Sequence, residues 1–308
     1  MTSNAPLLER LFPPHPAQEF LSRFWPGQPL VCHGALERLA ALSDLPALAD
    51  VHSLLDAYGE PVMVALPDKR DEHSVIRVEP AAAGALYLSG MTLIFDAVHR
   101  YLPAVGEWLG RIQGELGLTV GCEARTIVYA SPRDAGNSPH FDANANIVVQ
   151  LRGNKRWHLA PNPHIENPTE RWAINQREVP PVLSRCLEQP FPAQMPPGQP
   201  VDLVPGSTLF VPRGHWHSTE ASADSLALNF TYSQPTWADI VCAAVHRHLQ
   251  TDAHWRALAD GLGSREPERA AACRAQLAGL LHELQGRVAQ LEASEVLALL
   301  QPTDHGTA

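Results

Sequence analysis

Between residues 119 and 235 the chain breaks into short apolar, β-branched runs, and this constrains its fold more than any other feature. The runs read ARTIVYASP, ANIVVQLRG, KRWHLAP, STLFVPRG and SLALNFTYS, with Gly, Pro, Asn and Asp between them. Each has the length and residue types of a strand, and turn formers punctuate them at short intervals. The pattern predicts a sandwich or barrel of short strands. The stretch 161–200 is rich in proline and poor in periodic runs. It predicts a long insertion over the barrel, of the kind that forms binding loops or lids.

The flanks have another texture. In residues 1–118, segments 43–58 and 92–117 space their apolar residues three to four apart, the helix period, and Pro103 is expected to break or kink the second. Residues 61–79, with PVMVAL and SVIRVEP, supply one or two strands. Residues 236–308 return to helix period in ERAAACRAQLAGLLHELQGRVAQLEASEVLALLQ. Its apolar stripe has two readings, a packing helix pair and a dimerisation element. The expected organisation is a helical and mixed segment 1–118 packing on a barrel 119–235, followed by a helical region 236–308.

Composition narrows the function. A formal net charge of −10 over 308 residues argues against broad binding to nucleic acid or to an acidic membrane surface. The five cysteines, Cys32, Cys122, Cys186, Cys242 and Cys273, are odd in number and form no CxxC pair, which fits free thiols rather than a disulfide framework. MTSNAPLLERLFPPHP lacks the basic-then-apolar order of a signal peptide, and no apolar stretch approaches bilayer length. The expectation is a cytoplasmic enzyme or binding module.

One triplet suggests chemistry. In His140-Phe141-Asp142, strand geometry sends residues i and i+2 to one face, so an imidazole and a carboxylate aim inward together. They are two legs of a 2-His-1-carboxylate triad, which leaves coordination positions open and suits non-haem iron. With 15 His in the chain, about 0.7 such triplets arise by chance, so the triplet alone decides nothing. A second triplet, His164-Ile165-Glu166, is bracketed by Asn-Pro pairs that disfavour a strand. Position adds weight to the first. It follows the turn-rich RDAGNSP and precedes a strong strand, and downstream LVPGSTLFVPRGHWHSTEA ends a strand on His215 and His217. Spacing alone leaves either histidine open as third ligand. Asn146 shares strand parity with His140 and Asp142, and Asn229 lies mid-strand, so both are expected to face the interior and need hydrogen-bond partners there.

SPHFDANANIVVQLRGNKRWHLAP, PGSTLFVPRGHWH and LALNFTY together resemble the JmjC/cupin-type 2-oxoglutarate oxygenases, in their asparaginyl-hydroxylase and ribosomal-oxygenase branches. The resemblance covers about residues 120–235, and FLSRFWPGQPLVCHGAL resembles the entry segment of the same group. It implies a double-stranded β-helix (jelly-roll) core with flanking helices. The family's Pro-x-x-x-Trp-His pattern falls on Pro212, Trp216 and His217, which implies an Fe(II) triad of His140, Asp142 and His217. Lys155 stands at the spacing of the family's basic residue and is implied to pair with the distal carboxylate of 2-oxoglutarate; a solvated turn lysine is the plain alternative. Asn146 and Asn229 become candidates for cosubstrate contacts, with Ser138 and Tyr129 weaker ones. Ser207 stands where the family often has Asp, and the loop from His217 to Asn229 is short. The implied activity is hydroxylation of a protein or peptide side chain. A demethylase, a cupin enzyme that does not use 2-oxoglutarate, and a non-catalytic cupin module are the competing readings.

Overall fold

The computed structural model of the 308-residue chain describes residues 5–66, 74–119, 121–176, 178–298 and 300. The PDKRDEH stretch between the two expected strands, the first four residues, and the end of the last helical run (299 and 301–308) lie outside the described residues. Two compact units are present. One joins Met1–Leu118 to Glu123–Ser233, and the other joins Thr119–Cys122 to Gln234–Ala308.

In the first unit the described strands are β1 (Leu30–Cys32), β2 (Val62–Ala65), β3 (Val75–Val78), β4 (Thr92–Asp96), β5 (Glu123–Ser131), β6 (His140–Phe141), β7 (Ala145–Arg152), β8 (Lys155–Ala160), β9 (Trp172–Ala173), β10 (Gln199–Leu203), β11 (Thr208–Val211), β12 (Trp216–Ala221) and β13 (Ser225–Ser233). They form two antiparallel sheets, ordered β1-β11-β7-β13-β5-β4-β2-β3 and β10-β8-β12-β6-β9. The non-sequential neighbours, such as β11 beside β7 and β12 beside β6, are those of a jelly roll with strands added at one edge.

Alternation along the strands builds two apolar layers. Val148, Leu209, Val211 and Ala227 of the larger sheet meet Trp157 and Leu203 of the smaller one, which fills the space between the sheets. Phe141 and Trp216 point the other way, off the smaller sheet, and meet Trp172, Leu183 and Phe191 of the 161–200 insertion. The aromatic rings there pack edge to face, Phe141 on Trp216 at 5.0 Å, or stacked, Trp172 on Phe191 at 4.2 Å. The insertion is therefore anchored on the sheet by buried aromatics. The N-terminal segment docks in the same way, through Phe12, Phe20 and Trp25 around Phe210 of β11.

Three expectations are corrected. Residues 92–96 were expected to begin a helix but form β4, while the helix starts later, at Pro103, and runs to Glu115. TLIFD fits either period, and pairing with β5 on one side and β2 on the other decides for the strand. Pro103 occupies the first helical turn, where its missing N–H costs nothing, rather than a kink. The insertion is also less irregular than its prolines suggest, since it holds β9, a short helix at Pro181–Cys186 and the start of β10. All five cysteines are free.

Gly136 marks a point where the backbone tolerates no side chain. It lies where residues 135–137 run against β12, with Asn137 N–H donating to Thr219 Oγ1 and Ala221 N–H to Ala135 O. A methyl at 136 would collide with the Thr219 carbonyl. Gly136→Ala is expected to destabilise the unit by about 3 kcal/mol, because backbone on both sides must move. Chemical denaturation of the variant beside the parent protein measures this.

The second unit is helical, with helices at Trp237–Leu249, Pro267–Val288 and Ala293–Ala298. Thr236 and Asp239 form a reciprocal capping box that starts the first. The 22-residue helix keeps Leu277, Leu281 and Val288 exposed along one side. Among the described residues no helix is long and apolar enough to cross a membrane.

Candidate metal centre

β6 and β12 are antiparallel neighbours, and their register sets His140 directly opposite His217. The side chains of such a pair meet on one face of the sheet. Here that face is inward, and the ring centroids lie 4.2 Å apart. Asp142 follows β6 by one residue and completes the group. Its Oδ1 is 3.9 Å from His140 Nε2 and its Oδ2 is 3.6 Å from His217 Nε2. One donor atom from each residue falls within 4.8 Å of the others, so all three can reach a single ion.

The backbone fixes both imidazoles for that task. His140 Nδ1 donates to Ser138 O at 2.7 Å, and His217 Nδ1 donates to His215 O at 3.0 Å. A carbonyl accepts only, so Nδ1 carries the proton in each ring and Nε2 presents its lone pair to the centre. Burial pushes both imidazoles below the usual histidine range, and the facing imidazole lowers His140 further. Both are therefore neutral near pH 7, the state a metal requires. Burial pushes Asp142 up, but the imidazoles, Arg171 and the Asn146 amide outweigh it and hold the carboxyl below its usual value. An anionic carboxylate with two neutral imidazoles is a borderline-hard donor set that suits Fe(II) and leaves coordination positions for exogenous ligands.

The centre opens into a cavity of about 240 Å³. Asn146, Asn229, Tyr129 and Lys155 all line it, together with Trp157, Thr231, Arg125 and Arg171, which the sequence did not single out. Asn146 reaches the site by a route other than the expected parity. His140 and Asn146 belong to different sheets, because the chain crosses between them at Asp142–Asn144. Asn146 Nδ2 donates to Asp142 Oδ2 at 3.1 Å, while its own Oδ1 accepts from Thr231 Oγ1 at 2.9 Å and Asn144 Nδ2 at 3.1 Å. The amide is thereby oriented to hold the carboxylate. Among the described residues the buried Asn229 Oδ1 has no hydrogen-bond partner, which leaves an acceptor on the cavity wall. Ser138 does not line this cavity. It gives its carbonyl to His140, and its hydroxyl accepts from Asn175 Nδ2 at 3.4 Å. His215 stands outside the three-donor group.

Lys155 is 3% exposed. Its ammonium donates to Ser131 Oγ at 2.9 Å and lies 5.6 Å from the Tyr129 ring, and no carboxylate of the described residues forms an ion pair with it. Burial alone pushes it down to about 8. Burial, followed by the charge of Asp142, pushes the Tyr129 phenol up to about 12. A buried cation with no counter-charge is costly unless an anion joins it. The cavity that Lys155 shares with the three donors therefore suits a small anionic ligand.

Residues 111–240 match a JmjC domain. The chain is 34% identical to the uncharacterized protein YxbC of Bacillus subtilis over 259 residues, which is 82% of this chain and 78% of that protein. The chain belongs to the JmjC family. Over 262 residues it is also 28% identical to ribosomal oxygenase 1 of Rattus norvegicus, covering 80% of this chain but only 40% of that longer protein. A solved structure of YcfD, a ribosomal oxygenase from Escherichia coli in complex with cobalt and 2-oxoglutarate, aligns over 86% of this chain and 66% of its own, with 16% identity and a TM-score of 0.49. JmjC membership agrees with the two-sheet core and with the strands that carry the three donors.

Proposed function

We propose that this protein is an Fe(II)- and 2-oxoglutarate-dependent oxygenase that hydroxylates a protein or peptide side chain. The observation that carries the reading is the convergence of His140, Asp142 and His217 with both Nε2 lone pairs set by backbone carbonyls, in a cavity that also holds a buried lysine without a carboxylate partner among the described residues. JmjC membership and the ribosomal oxygenase relative support the same chemistry. Bound Fe(II) supplies the activation of dioxygen, coupled to oxidative decarboxylation of 2-oxoglutarate to succinate and carbon dioxide, with the second oxygen atom going to the substrate.

The protein's own contribution is positioning and exclusion. His140 and His217 through Nε2, and Asp142 through its carboxylate, would hold the metal. Asn146 keeps the Asp142 carboxylate oriented. Lys155 receives the distal carboxylate of 2-oxoglutarate, with Tyr129 and Ser131 beside it, and Asn229 offers an acceptor to a proton-bearing ligand near the metal. Trp157, stacked on the His217 ring at 5.6 Å, keeps that wall dry. The insertion 161–200 and the N-terminal segment form the groove for the substrate. In the same reading, 119–235 is the catalytic barrel, 1–118 packs on it, and 236–308 pairs two copies through the exposed Leu277 and Leu281 side. The enzyme is cytoplasmic and does not itself bind nucleic acid.

Anaerobic addition of Fe(II) to the protein with 2-oxoglutarate tests the reading: a weak visible charge-transfer band is expected, and its absence overturns it. The pH dependence of 2-oxoglutarate binding is fixed by Lys155. The ammonium is charged below about pH 8 and loses its proton above it. Affinity is expected to be flat below that value and to fall about tenfold per pH unit above it, since only the charged form pairs with the carboxylate. Calorimetric titration of the Mn(II)-loaded protein across that range measures it.

A further inference from the structure

The first unit carries a second cavity, away from the metal centre. It has a volume of about 440 Å³ and lies where the helices Val51–Ala57 and Pro80–Leu88 meet the end of β7 and the start of β13. β7 brings Asn146 to the metal cavity and Arg152 to this one, a separation of roughly 20 Å along the strand. The floor is apolar. Leu55 and Leu226 are buried in it, Tyr87 is half-buried at its side, and Leu88 stands exposed beside them. Gly84, in the middle of its helix, leaves room there, since a methyl at this position would meet only Leu55 Cδ1, at an ordinary 3.6 Å. A space of this size admits a small molecule rather than a few waters.

The charged groups of this lining differ in what they leave open. Asp50 and Asp224 face a single guanidinium, that of Arg152, and His52 has Asp56 as its own neighbour at 3.9 Å. The guanidinium is engaged by backbone: it donates to Ala49 O, Leu151 O and Ser43 O. Asp50 caps its helix and accepts from Ser53 N–H. Asp224 accepts from Arg133 N–H through Oδ1, and its Oδ2 has no partner among the described residues. The charge of Asp224 reaches the aromatic side of the cavity, where it adds to burial in pushing the Tyr87 phenol up to about 12. An apolar floor, an aromatic side and a carboxylate with an oxygen to spare thus meet under an excess of one negative charge. A ligand with an apolar body and one positive charge complements all of these.

We propose that this cavity is a second binding site, which takes a small molecule made of an apolar or aromatic body and one ammonium group. The body fills the space over Leu55, Leu226 and Tyr87, and the ammonium pairs with Asp224. The site stands apart from the metal and 2-oxoglutarate reading, because its lining shares no residue with the metal cavity. The two cavities share only a framework: β7 and β13 line both, at different points along their length.

Saturation-transfer titration of the full chain at low ionic strength tests it with three probes of similar shape: 2-phenylethylammonium, 2-phenylethanol and 3-phenylpropionate. The ammonium is expected to bind about three- to fivefold more tightly than the alcohol, the size of one partly exposed ion pair, and the carboxylate more weakly than either. At about 1 M salt the ammonium and the alcohol are expected to converge. Asp224→Asn keeps an acceptor for Arg133 N–H and removes the charge. It is expected to bring the ammonium to the affinity of the alcohol and to leave the alcohol unchanged. Gly84→Leu is expected to abolish binding of all three probes, because the added side chain occupies the cavity, and leucine suits a helix better than glycine does. A thermal melt checks that each variant is folded. Should Gly84→Leu not fold, Asp224→Asn and the salt series judge the proposal alone. No saturation by the ammonium in the parent protein, a carboxylate probe that binds as well as the ammonium, or an ammonium preference that survives Asp224→Asn or high salt overturns the proposal. So does binding that survives Gly84→Leu in a folded protein.

Discussion

His217→Ala is expected to abolish the Fe(II)–2-oxoglutarate band and to lower 2-oxoglutarate turnover at least about a thousandfold, because one of three protein donors is lost and the two that remain cannot hold a divalent ion with comparable affinity. His217 is buried, directly across from His140, so its removal also leaves a small void, and a stability loss of about 1–2 kcal/mol accompanies the loss of metal. That is too little to unfold a typical domain, and a thermal melt separates the two effects. The decisive companion is His215→Ala. The sequence spacing leaves 215 and 217 equivalent, yet the structure uses residue 215 through its carbonyl, which an alanine retains. His215→Ala is expected to keep the band. Loss of the band in His215→Ala and its survival in His217→Ala would overturn the assignment of the third ligand.

Why the sequence stopped at that ambiguity is a matter of which interactions are local. The five long runs are legible because burial writes apolar strings: β7, β11 and β13 are buried along nearly their whole length and β5 over its second half, while β8 alternates, and all five fall on the runs. β6 and β9 are two residues each, too short to carry any period, and β12 reads Trp-His-Ser-Thr-Glu-Ala, a largely polar string whose strand character comes from its neighbours β8 and β6. The histidine pair is a product of that same register. Asn146 was expected on the face of His140 by parity; the chain switches sheets between them, and the amide arrives by a different path at the same carboxylate. Arg171 was illegible altogether. Its place beside Asp142 follows from the pairing of β9, inside the proline-rich stretch, with β6 about thirty residues earlier, and no local pattern distinguishes it from the neighbouring charges. Lys155 stood between two readings, and its burial tells against the solvated one, a quantity no spacing encodes.

Burial also makes Lys155 the site of an opposition between stability and function. Its fall from 10.5 to about 8 has one cause, removal from water, and corresponds to a cost on the order of 3 kcal/mol when the cation is buried in the absence of a ligand. The folded value lies below the unfolded one for a base, so the cost is full below pH 8 and disappears as pH rises towards 10.5. Lys155→Met removes the charge at similar length but leaves Ser131 Oγ without its donor. The ligand-free variant is therefore expected to be more stable than the parent by about 1–3 kcal/mol near neutral pH, with the gain vanishing in alkali. Its affinity for 2-oxoglutarate is expected to fall about a hundredfold or more, since a buried charge-assisted hydrogen bond to the distal carboxylate is lost. Metal binding by His140, Asp142 and His217 should persist, as Mn(II) titration would show. A variant that is both stabilised and unable to bind 2-oxoglutarate would mean that the fold tolerates an unpaired interior cation for the sake of its anionic ligand. Unchanged affinity for 2-oxoglutarate would remove Lys155 from the site and leave the metal centre without its cosubstrate clamp.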